Sequence, residues 1–312
     1  MLVTLPPHNF SRRKILAAMA GVTGMASTGF AAESVDTEAM RAEYRKWLES
    51  LPSAPKPELA DHGLVATELG RWHIMDANQG VCVDAEHFYG IGNHALVKHR
   101  KDTGERVAQW FGPNGGPIIH INSGWVDGDQ LVLSHSNFSE LPMASSLERY
   151  DARTLQPLSS YSFGIRLGSL TWAVRHNGYW WATFANYNDS GTTPGFDQRW
   201  TFFAQFDDNW QQLQSWLFPP QVIGTWHESS CSGGDWGDDG LLYVTGHDEP
   251  LLHVLRLPKQ GVTLEYVTTI KVPFEGQSWA WDRSDKRVIY GISRARQEVI
   301  AARIPELPAS LL

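Results

Sequence analysis

From about residue 64 onward, apolar runs too short for helices alternate with clusters of Gly, Asp, Asn and Ser. This is the pattern of strands joined by turns. The clearest unit spans 225–249. A polar loop bearing His227 leads into a short Gly/Trp strand, an Asp238-Asp239-Gly240 turn, an apolar strand at 241–245 and a second polar loop, His247-Asp248-Glu249. A tight hairpin turn makes the two strands antiparallel, so both polar loops emerge at the same edge of the sheet.

The unit recurs five times. Second strands are expected at 88–91, 131–134, 179–184, 241–245 and 288–292, and third strands at 95–99, 146–150, 202–206, 251–255 and 299–303. Outer strands are expected at 106–111, 158–163, 213–218 and 264–272, which leaves the fifth repeat without one. The segment 64–72 precedes the first inner strand with no repeat of its own, and it can supply the missing strand. A ring of four-stranded sheets sealed in this way leaves no long edge open. The expectation is an all-β five-bladed β-propeller over 61–312, closed by an N-terminal strand. Six blades are the alternative if the interval 187–202 hides further strands.

Ahead of the repeats the period changes. Met40, Tyr44, Trp47, Leu48 and Leu51 recur at helical spacing with charged residues between them, and Pro52 ends the run. One amphipathic helix with a proline-rich linker is expected over 32–60. Residues 1–31 read as a targeting segment. Ser11-Arg12-Arg13-Lys14-Ile15-Leu16 resembles the twin-arginine export motif and precedes a small, apolar run with cleavage expected near Ala31. That run is too interrupted by Gly, Ser and Thr for a membrane span. The resemblance implies the twin-arginine export machinery as a partner, a periplasmic or secreted location, and passage across the membrane in the folded state.

Charge narrows the partners. Losing Arg12, Arg13 and Lys14 with the targeting segment leaves 23 of the 26 basic residues against 34 acidic ones, a net charge of −11. Such a surface repels polyanions, so neither nucleic acid nor anionic membrane is expected as a partner. Composition agrees with many short strands: 28 glycines and 17 prolines are spread through a chain that is 42% apolar. The two cysteines, Cys82 and Cys231, fall beside inner strands of different repeats, and two buried thiols are expected over a disulfide.

Candidate chemistry gathers at one face of the expected ring, where each blade contributes a loop entering its inner strand and a loop leaving its second strand. The entering loops carry His73, His120, His227, Glu228 and Arg166, and the leaving loops carry Asn93, His94, His135, Asn186, Tyr187, His247, Asp248 and Arg294. Imidazoles beside carboxylates suit proton transfer or metal ligation. His227, Glu228 and His120 are the candidate catalytic residues. His227, Glu228 and His247 are the candidate ligands should the site hold one divalent metal ion. Asn93, His94, His135, Asn186, Tyr187 and Arg294 are candidates for substrate contact, with Arg294 or Arg166 holding an anionic group. The competing expectation is that these loop side chains only tie neighbouring blades together. Trp125, Trp172, Trp236, Trp279 and Trp281 are expected to fill the wedges between blades, whereas Trp226 and Trp200, in loops, could stack on a sugar. No Gly-x-Ser-x-Gly elbow, phosphate-cradling glycine loop or CxxC pair is present.

The run Asn78-Gln-Gly-Val-Cys-Val-Asp-Ala-Glu-His-Phe-Tyr-Gly90, with Lys101-Asp-Thr-Gly104 after it, resembles the first blade of the propeller-type glutaminyl cyclases. The resemblance covers about one blade. It implies the propeller fold. The glutamates of such cyclases have no counterpart here, since Ser123 and Ser169 occupy the comparable region of the next two repeats. Two functions are thus expected. One is an exported lyase, hydrolase or cyclising enzyme acting on a small polar or anionic substrate at the histidine-rich mouth. The other is a non-catalytic propeller that binds a glycan or protein at the same face.

Overall fold

The computed structural model describes residues 37–50, 58–165, 168–188 and 193–312. The expected targeting segment, the proline-rich linker and Arg166 lie outside the described residues. The chain divides into two units, 1–56 and 57–312. In the first, helix α1 (Thr37–Ser50) forms where the helical period was read, with the rings of Tyr44 and Trp47 stacked at 5.5 Å.

The second unit is a five-bladed β-propeller. It opens with β1 (Thr67–His73). Blade one follows with β2 (Gly80–Val83), β3 (His87–Gly92), β4 (Ala95–Arg100) and β5 (Arg106–Phe111), and blade two with β6 (His120–Asp127), β7 (Gln130–Ser136), β8 (Ala144–Asp151) and β9 (Pro157–Ile165). Blade three comprises β10 (Ser169–His176), β11 (Tyr179–Ala185), β12 (Phe202–Phe206) and β13 (Gln212–Leu217). A short helix, α2 (Pro220–Ile223), leads to blade four: β14 (Gly233–Trp236), β15 (Leu242–Thr245), β16 (Leu251–Arg256) and β17 (Glu265–Lys271). Blade five takes β18 (Ala280–Asp282), β19 (Val288–Ser293) and β20 (Glu298–Arg303) from the C-terminal part and β1 as its outer strand.

Turn chemistry fixes the hairpins. Asn177 and Gly178 both adopt positive φ, at 50° and 81°, the pairing that a two-residue hairpin turn demands. Asp239 accepts from the Leu241 N–H at 3.1 Å and from the Tyr243 hydroxyl at 2.7 Å, bracing the turn between β14 and β15. Burial then grades outward. Inner strands such as β2 and β14 are buried at every position, whereas β9 and β13 are mostly exposed. Inner strands approach so closely that side chains are excluded: a Cβ on Gly80 would stand 2.6 Å from that of Ser278, and one on Gly233 would stand 2.7 Å from the Gln277 carbonyl.

The wedges between blades are aromatic, as expected. Trp181 meets Trp236 edge-on at 4.9 Å, and Trp125 meets Trp180 at 5.7 Å. Closure also follows the expectation. β1 pairs antiparallel with β20 from Thr67↔Arg303 to His73↔Glu298. Trp72 stacks on Tyr290 at 5.9 Å and leans on Phe88 of blade one at 5.1 Å, so its indole covers the seam. The interval at 187–202 holds a single 3-10 turn, Gln198–Trp200, and no strand among its described residues, so the six-bladed alternative does not hold. Cys82 and Cys231 are both free and fully buried, and burial raises both thiol pKa values.

Candidate functional site

At the loop face, each leaving loop is bonded to the loop entering the next blade. The Ile121 N–H donates to the Asn93 carbonyl at 2.8 Å, the Ser169 hydroxyl to the Ser136 hydroxyl at 2.7 Å, and the Asn188 N–H to the Glu228 carbonyl at 2.9 Å. The Gln277 N–H donates to the Gly246 carbonyl at 3.1 Å, and the Ile74 N–H to the Gln297 carbonyl at 2.7 Å. One latch thus spans every junction of the ring. Buried backbone polar groups need such partners, and here the partners lie on neighbouring blades.

Several residues expected to touch a ligand are hydrogen-bonded within their own blades. Asn93 also accepts from the Gln79 amide at 2.7 Å. Asn186 is 1% exposed, with its N–H on the Thr201 hydroxyl at 3.0 Å and its amide donating to the Trp200 carbonyl at 3.4 Å. His135 lies inside β7, not in the loop after it, because the strand runs on to Ser136. Its Nε2 accepts from the Ile119 N–H at 3.0 Å, so the proton sits on Nδ1, which faces the Ser146 hydroxyl at 2.9 Å. Trp226 is likewise no stacking platform. α2 turns the following segment inward, leaving the indole 1% exposed against Phe218 at 5.2 Å. Trp200 is half exposed and packs edge-on against Phe196 at 4.6 Å.

What remains at the mouth is a polar arc. His227, its backbone at φ 53°, faces Glu249 with Nε2 at 2.9 Å from the carboxylate. His247 faces Asp248 through Nδ1 at 2.5 Å, and its Nε2 accepts from the Arg294 guanidinium at 3.2 Å. Ser229 donates to Asp248 at 3.3 Å. His94 is half-buried, with its carbonyl accepting from the Gly112 N–H at 2.8 Å. Across the arc, His120 packs on Phe138 at 5.2 Å, and Phe138 packs on Tyr187 at 5.0 Å. Burial lowers the His120 pKa to about 4, and His135, Arg294 and His247 push in the same direction. His120 is therefore a neutral imidazole at neutral pH, in electrostatic reach of Arg294 and His247.

The donor set does not suit a divalent ion. Among the described residues no three His, Cys, Asp or Glu side chains are grouped to hold one. The Glu228 side chain is exposed, and both ring nitrogens of His247 already have partners, one of them a guanidinium that a cation would have to displace.

A second concavity lies at the other end of the inner strands. All five contribute to a cavity of about 230 Å³, through Val83 of β2, Trp125 of β6, Arg175 and His176 of β10, Asp235 of β14 and Trp281 of β18, with Arg283 just beyond β18. Asp235 is 3% exposed and meets Arg283 at 3.0 Å and the Trp236 N–H at 2.7 Å. Burial raises its pKa to about 6 against the opposing pull of Arg283. His176 stacks on Trp236 at 4.9 Å, and burial lowers its pKa. Sequence reading assigned packing roles to Trp125, Trp236 and Trp281 and named no ligand role for Arg175, His176, Asp235 or Arg283. Their signal was present, since each sits where an inner strand runs into its hairpin turn.

No protein-family model matches the chain, and no curated protein matches it. Three solved structures are similar to it at low identity. A chain of the mitotic checkpoint complex aligns at 10% identity and TM-score 0.39, over 72% of this chain and 63% of that one. The WD40 repeats of RRP9 align at 10% and 0.39, over 80% and 97%. U3-55K aligns at 11% and 0.38, over 80% and 98%. At these scores the likeness carries no functional argument, and the propeller rests on the chain's own strand pairing. Among the described residues, no helix is long and apolar enough to cross a membrane.

Proposed function

We propose that this chain is a ligand-binding propeller that holds a small organic anion at the loop face, with Arg294 as the anchor and His120 and His247 beside it. One observation carries the reading. Among the described arginines of the propeller, only Arg153 and Arg294 have no described carboxylate within 4.0 Å, and Arg294 alone of the two stands at the mouth. Its hydrogen-bond partner is Nε2 of His247, at 3.2 Å. An exposed guanidinium left without a counter-charge on so acidic a protein suits a carboxylate or phosphate, which it can grip with two parallel hydrogen bonds. An acidic sugar would meet both the glycan and the anion expectations.

Calorimetric titration with galacturonate and with inorganic phosphate tests this. Arg294→Gln should weaken the tighter of the two at least tenfold, the equivalent of about 1.4 kcal/mol, and leave the melting temperature within a few degrees. Equal affinity in the variant would overturn the reading.

A second reading places catalysis at the same mouth, and the neutral imidazole of His120 favours it as a hydrogen-bonding partner for a reacting hydroxyl beside Arg294. In that case galacturonate or its esters would be turned over by the wild type and not by His120→Gln. The same proposal places the mature chain in the periplasm, supported by Arg12-Arg13 and the apolar run after them. Replacing both arginines with lysine should hold the precursor in the cytoplasm, and unchanged delivery would count against twin-arginine export.

A further inference from the structure

Five Asn and Gln side chains are buried among the described residues. The amides of Gln79, Asn122, Asn186 and Gln205 each have a hydrogen-bond partner, at 2.7, 2.9, 3.4 and 3.1 Å. That of Gln277, in a residue 5% exposed, has none among the described residues. A side-chain amide brings two donors and an acceptor, and a buried one left wholly unmatched calls for a partner from outside the chain.

The backbone shows where that partner would lie. Gln277 belongs to the loop entering blade five. Its N–H donates to the Gly246 carbonyl at 3.1 Å, and its carbonyl accepts from the Thr245 hydroxyl at 2.7 Å. The two loops run so close that a Cβ on Gly276 would stand 2.6 Å from the same Gly246 carbonyl. The residue after Gly246 is His247, which accepts from Arg294. Gln277 therefore sits at the mouth, against the loop whose imidazole Arg294 holds. On its other side the Ser278 N–H donates to the Gln79 carbonyl at 3.2 Å, tying the segment to blade one. The φ of Gln277 is 63°, a conformation that non-glycine residues seldom adopt and that persists only where the surroundings enforce it. The backbone that carries the amide is thus fixed from both sides.

We propose that Gln277 is a specificity-determining residue of the anion site and pairs with a hydroxyl of the bound molecule, so that the ligand is a polyhydroxy acid and not a bare carboxylate. The inference rests on Arg294 as the anchor of that site. A hydroxyl donates and accepts at once, which meets both sides of an amide, whereas a carboxylate only accepts and would leave the amide oxygen unmatched. The two residues divide the work: the guanidinium takes the charge, and the amide reads what the charge is attached to. A site built to bond a hydroxyl discriminates against an analogue that lacks it.

Galacturonate and cyclohexanecarboxylate, two six-membered rings with one carboxylate each, are the probes, titrated calorimetrically. The wild type should bind galacturonate at least tenfold more tightly. Gln277→Met keeps an unbranched chain without the amide, and should weaken galacturonate about tenfold while leaving cyclohexanecarboxylate within twofold. Arg294→Gln should weaken both acids. The inference is overturned if the wild type does not prefer galacturonate, or if Gln277→Met leaves galacturonate unchanged or weakens both acids alike, the mark of a merely structural amide. If Arg294→Gln still weakens both acids in that case, the anchor stands and only the role of Gln277 falls. If Arg294→Gln changes neither acid, the anchor and this inference fall together. Should Gln277→Met fail to fold, Gln277→Asn keeps the amide, draws it back by one methylene and should lower galacturonate affinity alone.

Discussion

His253 has no exposed surface, yet both of its ring nitrogens are occupied. The Thr225 hydroxyl donates to the Val222 carbonyl at 2.7 Å, so it must accept from Nε2 of His253 at 2.9 Å, which leaves Nδ1 to accept from Thr269 at 2.9 Å. Burial lowers the pKa of this ring from 6.5 to about 4. Because the folded-state value lies below the unfolded one, the unfolded chain takes up the proton first, and stability is lost as pH falls through the window from 6.5 to about 4. For a ring this buried the loss should reach about 3 kcal/mol. Urea unfolding at pH 7 and pH 4 measures the loss. The His253 ring resonances should keep their neutral-form positions down to about pH 5, and protonation of the folded state nearer pH 6 would contradict the account.

At the scale of elements, strands were legible because their turn residues are chemically specific. Asp-Gly, Asn-Gly and Asp-Asp-Gly sites mark three of the five hairpins between an inner strand and its neighbour, and most expected strands lie within two residues of those observed. What the sequence hid was the path of connections. Trp226 looked like a loop residue because no apolar period surrounds it, but Pro219 and Pro220 start α2, which folds the next turn into the core. His135 was misplaced by a strand end two residues later than expected, since polar Ser-His-Ser at 134–136 gives no sign that β7 continues. The cavity was invisible for another reason: its lining residues come from five blades, and only ring closure brings them together. The buried position of Trp226 makes a prediction at this scale. Trp226→Ala should cost about 3–5 kcal/mol, a fall in melting temperature on the order of 10 °C, and should leave galacturonate affinity unchanged in the protein that remains folded. A variant that melts like the wild type would mean that the indole is not a core group.

For the molecule as a whole, the ring depends on one pairing between distant parts of the chain. β1 supplies the outer strand of blade five, and Arg71 bonds both Glu68 beside it and Glu298 across the seam. Removing residues 1–56, the separate unit, should leave a soluble domain that unfolds cooperatively. Extending the deletion to residue 75 removes β1 and the indole of Trp72, and should abolish cooperative melting. A deletion to 75 that still melts sharply would show that the seam is dispensable.

That seam also imposes a schedule. Arg71 and Glu298 stand 227 positions apart, so at roughly 5–20 residues per second a ribosome needs about 10–45 s to deliver the second after the first. Throughout that interval β1 waits as an orphan strand, the kind of segment that recruits its counterpart from another nascent chain. Its make-up answers the hazard. Glu68 and Arg71 put opposite charges on the waiting strand, and the register breaks between Glu68 and Gly70, so a neighbouring β1 would meet an irregular, charged edge. The irregularity that interrupts the final pairing thus also guards the strand until its own partner arrives.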